Sequence, residues 1–154
     1  MQKRRHRVFD GMMAATILMS SWMLWDGSMG YLNERLSRNE PLIVSEQELV
    51  KEANRIKRGI ARHDRHRITI GFNDFQDPHV RNDTFSYAEN GEYHIFIERG
   101  NAYPSAIKHE LYHVLSGDCD RAAALSPLAL PLAYEFYFEP KAIYYSYTDK
   151  KINE

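Results

Sequence analysis

His109 and His113 stand four positions apart in the run His109-Glu110-Leu111-Tyr112-His113, a spacing that suits metal binding by a helix. Side chains at positions i and i+4 lie on one face of an α-helix, so the two imidazoles can converge on one metal ion. Glu110 follows about 100° round the helix, where its carboxylate can reach a metal-bound water without taking a coordination position. The run therefore indicates a metal site with a carboxylate beside it.

The residues around this run predict a helix that packs on a folded core. Pro104 suits the first turn of a helix, where its missing N–H would have no partner, and Gly117 suits the position just past the last turn. The face opposite the two histidines is apolar and carries Ile107, Leu111, Val114 and Leu115. A helix over about 104–117 would bury this face and present both imidazoles and Glu110 on the other.

This stretch resembles the active-site helix of the zincin metallopeptidases, which carries the HExxH motif. The resemblance is confined mainly to that helix, and it implies that His109 and His113 bind zinc while Glu110 acts as the general base on a zinc-bound water. The function it implies is a zinc-dependent metallopeptidase that hydrolyses peptide bonds in a protein or peptide substrate. The alternative is a non-enzymatic exported protein, a binding or assembly factor, on a zincin-like scaffold.

A catalytic zinc usually has three protein ligands and one open position, so a third ligand is expected. In the gluzincin-like members that use a glutamate, this ligand comes from a downstream helix with a small residue three positions later. Glu139-Pro140-Lys141-Ala142 has this spacing and makes Glu139 the favoured ligand. Pro140 disfavours helical geometry at Glu139 unless Glu139 begins a new helix.

Other residues compete for the third position. Glu135 follows Pro131 in an apolar run, but the residue three positions after it, Phe138, is bulky. Asp118 and Cys119 follow the glycine that ends the helix, and Cys119 occupies the last ligand position of the pattern HExxHxxGxxH. Asp118 and Asp120 are otherwise explained as N-caps of a helix that starts near Arg121.

The composition favours one catalytic domain and argues against a general nucleic-acid binder. The chain has 154 residues, 44% of them hydrophobic, and 20 basic against 21 acidic side chains. Cys119 is the only cysteine, so an internal disulfide is impossible.

The N-terminus predicts export. Four basic residues within the first seven positions precede the run Gly11 to Trp25, which carries no charge, so residues 1–30 are interpreted as a signal-anchor or signal peptide. The positive-inside rule then leaves the N-terminus in the cytoplasm. The rest would be membrane-anchored in the periplasm or outside the cell, or secreted if the segment is cleaved.

The remaining pattern predicts an α+β fold, in which a small zincin-like domain over 45–154 follows an N-terminal apolar helix and a linker at 31–44. Ser45 and Glu48 form a capping box before a helix that turns Leu49, Val50, Ala53 and Ile56 inward. Strands are expected at 67–72 and 92–98, separated by a long loop at 73–90, with helices packed on a short antiparallel or mixed sheet.

Two expectations concern the substrate. The resemblance implies that the strand containing Ile95 and Ile97 is the sheet edge that holds an extended peptide by backbone pairing. A chain this short has little material for a substrate-selecting domain, so proximity at the membrane or a partner protein is expected to choose the substrate.

Overall fold

The computed structural model describes residues 39–75, 84–126 and 129–148. The predicted signal segment at 1–30 and residues 31–38 of the predicted linker lie outside the described residues. Among the helices within the described ranges, none combines the length and hydropathy of a membrane span.

The fold is α+β, with helices packed around a three-stranded mixed sheet, and this part of the prediction is confirmed. In chain order the elements are α1 (Glu46–Ile60), β1 (Ile68–Phe72), β2 (Phe85–Glu89), β3 (Glu92–Ile97), a 3₁₀ turn (Arg99–Asn101), α2 (Pro104–Leu115), α3 (Asp118–Ala124), α4 (Leu130–Ala133), a π-helical segment (Tyr134–Phe138) and α5 (Glu139–Thr148).

Helix α1 begins where its capping pattern predicts. The Ser45 hydroxyl accepts a hydrogen bond from the backbone N–H of Glu48 at 3.3 Å, which satisfies one of the free donors of the first turn. The buried face of α1 carries Leu49, Ala53, Ile56 and Ile60. Val50, expected to point inward, is instead 42% exposed, because it lies at the margin of this face.

The strands are arranged in the order β1-β3-β2. Strand β1 pairs with β3 in parallel, with Ile70 opposite Ile95, and β2 pairs with β3 antiparallel, with Tyr87 opposite His94. The hairpin between β2 and β3 turns at Asn90 and Gly91, whose φ angles are 52° and 78°. Residues 85–89 were expected to lie in the loop at 73–90. Asn-Gly is a strong hairpin signal, however, so the sequence does contain a local indication of strand β2.

The expectation that the strand of Ile95 and Ile97 forms the sheet edge is wrong. This strand, β3, is central and is hydrogen-bonded on both sides. Its alternate residues Tyr93, Ile95 and Ile97 are buried against the helices, as expected for a strand whose one face lies on the core. Among the described strands, the edges are β1 and β2.

Helix α2 lies at the centre of the helical layer. It contacts α1, β2, β3, α3 and α5, so most of its surface is covered by protein. Ile107, Leu111 and Val114 are at most 1% exposed. Burying side chains of this size stabilises the fold by about 1.5–3 kcal/mol each, which fixes the position of α2 on the sheet.

Candidate metal centre

The start of α2 is held by residues far upstream in the sequence. Pro104 is its first residue, as predicted, and the side chain before it makes no capping hydrogen bond. Glu40 takes that role, because its Oε2 accepts a hydrogen bond from the Ser105 N–H at 2.7 Å. The Ile43 N–H also donates to the Ala102 carbonyl at 2.9 Å. Residues 39–44 of the predicted linker thus help to position the helix that carries both histidines.

The end of α2 reverses the chain sharply. Gly117 has φ 75°, in the left-handed region that favours glycine, and α3 begins at the next residue. This tight turn brings Asp118 back against the last turn of α2, next to His113.

Helix α5 brings Glu139 to α2. Glu139 is the first residue of α5 and Pro140 the second, so the proline lies in the first turn, where it is tolerated. Ala142, three positions after Glu139, is 1% exposed, and α5 packs directly on α2. Tyr145 stacks on Tyr112 with ring centroids 5.3 Å apart. Ala142 is therefore a small residue at the contact between α2 and α5.

The structure brings His109, His113 and Glu139 together. Their ligand atoms all lie within 4.8 Å of one another, and this is the one group of three or more potential metal ligands found within the described residues. The two histidine Nε2 atoms are 3.1 Å apart. Glu139 places Oε2 at 3.1 Å from His109 Nε2 and Oε1 at 3.2 Å from His113 Nε2.

These distances fit a zinc ion. Two ligand atoms that each lie about 2.0–2.1 Å from a tetrahedral ion are about 3.3–3.4 Å apart. The two Nε2 atoms, 3.1 Å apart, are close to this value, and each of them has a different oxygen of Glu139 at 3.1 or 3.2 Å. Two imidazoles and one carboxylate are also a donor set that zinc uses in catalytic sites. The residues present can therefore hold zinc with three protein ligands.

The charges of this group are tightly coupled. Burial would lower the pKa of His113, but Asp118, Glu139 and Glu110 outweigh it and raise the pKa to about 10. Burial would raise the pKa of Glu139, but the imidazoles of His109 and His113 hold it well below its ordinary value. The carboxylate of Glu139 and the imidazole of His113 thus each stabilise the charged form of the other.

Asp118 packs against His113 and is not the cap of a helix. It is 2% exposed, and its Oδ2 is 3.5 Å from His113 Nδ1. Its Oδ1 accepts from Lys141 Nζ at 2.8 Å and lies 3.4 Å from Arg121 Nη1. The expectation that Asp118 caps a helix is wrong, because Gly117 is the N-cap of α3 and Asp118 is already inside it.

The site is closed on one side and open on the other. The side chain of His113 is 5% exposed and that of His109 is 14% exposed, whereas that of Glu139 is 36% exposed. Glu110 is buried, and its negative charge is among those that raise the pKa of His113. The site is therefore open to solvent on the side of Glu139.

The remaining candidate ligands are placed differently. The Cys119 thiol contacts the Ser86 hydroxyl on β2 at 3.7 Å, and burial raises its pKa to about 11. Asp118 faces Nδ1 of His113, whereas Glu139 faces Nε2. Glu135 lies in the π-helical segment, and its side chain is outside the described residues.

The roles of Lys141 and of the contact between Asp118 and His113 were not predicted from the sequence. No sequence spacing signals them, because Lys141 and Asp118 belong to different helices that meet only in the folded chain.

Comparison with protein-family models, with curated proteins and with solved structures gave no match for this chain.

Proposed function

We propose that this protein is a zincin-like, zinc-dependent metallopeptidase that hydrolyses peptide bonds. The observation that carries the proposal is the convergence of His109, His113 and Glu139, from two separate helices, with spacings that suit one zinc ion. The HExxH order places Glu110 one residue after the first of these ligands.

The proposed reaction assigns a role to each of these side chains. Zinc, when bound, would lower the pKa of its water and polarise the substrate carbonyl. Glu110 takes the proton of the attacking water and delivers it to the leaving nitrogen, as a general base and then a general acid. His109, His113 and Glu139 hold the site in one geometry, and the buried side formed by His113 excludes bulk water.

Strand β2 is the proposed binding edge for the substrate, in place of β3. It is an edge among the described strands, and it contacts both α2 and α3. An extended peptide could pair with such an edge through its backbone, which would place a peptide bond near the end of α2. Pairing through the backbone leaves side-chain selectivity to other surfaces.

The location follows from the sequence pattern. We propose that the N-terminal apolar segment anchors the protein in a membrane with the catalytic domain outside the cytoplasm, or is cleaved to release it. Membrane proximity or a partner protein would then choose among substrates.

The test is zinc content and peptide cleavage by the purified full-length chain. We expect about one zinc per chain in the wild type by elemental analysis, and cleavage in a broad peptide screen. Glu110→Gln should retain zinc while its cleavage rate falls by about 10²–10⁴-fold. His113→Ala and Glu139→Gln should lose both zinc and cleavage.

Two results would contradict the proposal. A folded wild type that takes up no zinc would exclude a metallopeptidase and favour the exported, non-enzymatic binding or assembly protein. Zinc retained in Glu139→Gln at wild-type stoichiometry would remove Glu139 from the ligand set.

A further inference from the structure

A chain of three side chains lies behind the candidate metal centre. His113 turns Nε2 toward His109 and Glu139, and its other ring nitrogen, Nδ1, lies 3.5 Å from Asp118 Oδ2. The second oxygen of Asp118 accepts a hydrogen bond from Lys141 Nζ at 2.8 Å. The two oxygens of one buried carboxylate therefore face one histidine and one lysine.

We infer that Asp118 is a positioning residue for the metal centre and that Lys141 holds it in place. This inference rests on the proposed function. Asp118 would keep the proton of His113 on Nδ1, which leaves Nε2 unprotonated and able to bind zinc. A ligand histidine whose other nitrogen donates to a carboxylate is fixed in both tautomer and ring orientation, and it is a stronger ligand.

The burial of Asp118 supports a specific role. Asp118 is 2% exposed, and a buried carboxylate destabilises a fold unless its charge is paired and hydrogen-bonded. Among the described residues, Lys141 is the closest cation to Asp118, while Arg121 is farther away and its side chain is 55% exposed. Lys141 is therefore the main counter-charge of this carboxylate.

The position of Lys141 links the two helices that carry the ligands. Lys141 lies two residues after Glu139 in α5, and Asp118 lies five residues after His113, at the start of α3. The ion pair thus joins the backbone segments next to two of the three proposed ligands. It fixes the separation of those segments independently of the ion, which is the preorganisation that a tight site requires.

A structural salt bridge that only ties α3 to α5 is the competing explanation. It would stabilise the fold with and without metal by the same amount. A positioning role instead changes the affinity for zinc, and it changes the state of the His113 ring.

The experiment measures the zinc dissociation constant of the full-length protein by competition with a chelator. We expect Asp118→Asn, which keeps the shape and removes the charge, to weaken zinc binding by about 10–100-fold. The matched control is Asp120→Asn, the same change on the same short helix. Asp120 accepts from the Tyr93 hydroxyl at 2.8 Å, away from the metal ligands, so its zinc affinity should equal that of the wild type.

A second pair of variants tests the lysine. Lys141→Met leaves the Asp118 carboxylate in place without its closest cation, and we expect it to weaken zinc binding by about tenfold. Lys141→Arg keeps the charge and should restore most of the affinity. This pair also tests the inference if Asp118→Asn does not fold.

The state of the ring gives a readout that a structural role would not change. Long-range ¹H–¹⁵N spectra of the zinc-loaded wild type should show His113 with a protonated Nδ1 and a metal-bound Nε2. Zinc-loaded Asp118→Asn should show altered His113 nitrogen shifts, while Asp120→Asn should match the wild type.

The outcomes separate the two proposals. If the wild type binds zinc and Asp118→Asn binds it with the same affinity, the positioning role is overturned and the proposed function stands. If Asp118→Asn does not fold, an unchanged zinc affinity in Lys141→Met overturns the positioning role in the same way. Equal losses of affinity in Asp118→Asn and Asp120→Asn also overturn it, because the effect would then follow from destabilised α3. A wild type without zinc affinity overturns the proposed function and the positioning role together.

Discussion

Two regions of this molecule combine histidine with carboxylate and lysine, and they differ in nearly every physical respect. The surface triad consists of Lys57, Asp64 and His66, in and just after the end of α1. The buried cluster consists of His109, His113 and Glu139, with Asp118 behind them. The same residue types are present in both regions, so residue type alone does not make a metal site.

The surface triad is built from neighbours in the sequence. Asp64 pairs with Nδ1 of His66 and lies 2.9 Å from Lys57 Nζ, and its oxygen also accepts from the His66 N–H at 3.0 Å. The side chain of His66 is 44% exposed, and its ring packs edge-on against Tyr93. Water competes for each of these contacts, and no second imidazole faces this ring among the described residues.

The buried cluster draws its members from three helices. Helix α2 supplies both imidazoles, α5 supplies Glu139 and α3 supplies Asp118. Low exposure strengthens every interaction among them, because water screens them less. The difference shows that convergence from separate elements, together with exclusion of water, is what sets the buried cluster apart.

Removing one imidazole from each region is expected to have the largest effect. His109→Ala should abolish zinc binding, because two ligands hold the ion far more weakly than three. His66→Ala should retain about one zinc per chain. Elemental analysis of both purified variants measures this, and zinc loss in His66→Ala would contradict the contrast between the two regions.

Thiol reactivity should also distinguish the two regions. Burial raises the pKa of Cys119 to about 11, so the native protein at pH 8 should react with an alkylating reagent at least about 100-fold more slowly than the denatured chain. The matched surface probe is Lys51→Cys in a Cys119→Ser background, on the exposed side of α1 near the surface triad. Equal labelling rates for the two native thiols would show that the region around Cys119 is open.

Overpacking the helix contact should destabilise the fold. Ala142→Leu adds volume where α5 meets α2, and we expect it to lower the free energy of unfolding by about 1–3 kcal/mol and to weaken zinc binding. Ala123→Leu adds the same volume at an exposed position of α3 and should have little effect. Chemical denaturation gives both values, and an unaffected Ala142→Leu would show a looser contact than the burial indicates.

Disrupting the surface triad should have the smallest effect. Asp64→Asn should lower the free energy of unfolding at pH 7 by about 1 kcal/mol, because Asp64 is only partly covered and its partner His66 is 44% exposed. Burial would raise the pKa of Asp64, but its hydrogen bonds from Lys57 and His66 outweigh this and lower the pKa. The stabilisation is therefore present above about pH 3.9, the ordinary pKa of an aspartate in an unfolded chain. It is lost as the pH falls through the lower pKa that Asp64 has in the folded protein.

The measurement for this last prediction is denaturant unfolding of the wild type and Asp64→Asn at a series of pH values. The difference between the two should shrink as the pH falls below about 4. A difference that stays constant with pH would mean that the charge of Asp64 contributes nothing.

Much of the fold was predictable where local patterns act alone. The capping residue Ser45, the proline that starts α2 and the glycine that follows it each act within one turn of chain, so the helix bounds could be predicted closely. Strand β2 was missed although Asn90-Gly91 marks its hairpin, because its composition resembles a turn-rich loop. The central position of β3 was not predictable, because strand order depends on pairing between distant segments.

The sequence by itself determined that His109, Glu110 and His113 lie on one helix and that the two imidazoles share a face, because the α-helical repeat brings positions i and i+4 together. Only the tertiary structure decided which acidic side chain joins them. Glu139 meets the histidines because α5 packs on α2 at the small Ala142, and Asp118 reaches His113 because the chain turns back at Gly117. The position of Glu139 depends on packing between segments far apart in the chain, which no local spacing encodes, whereas that of Asp118 depends on the turn at Gly117.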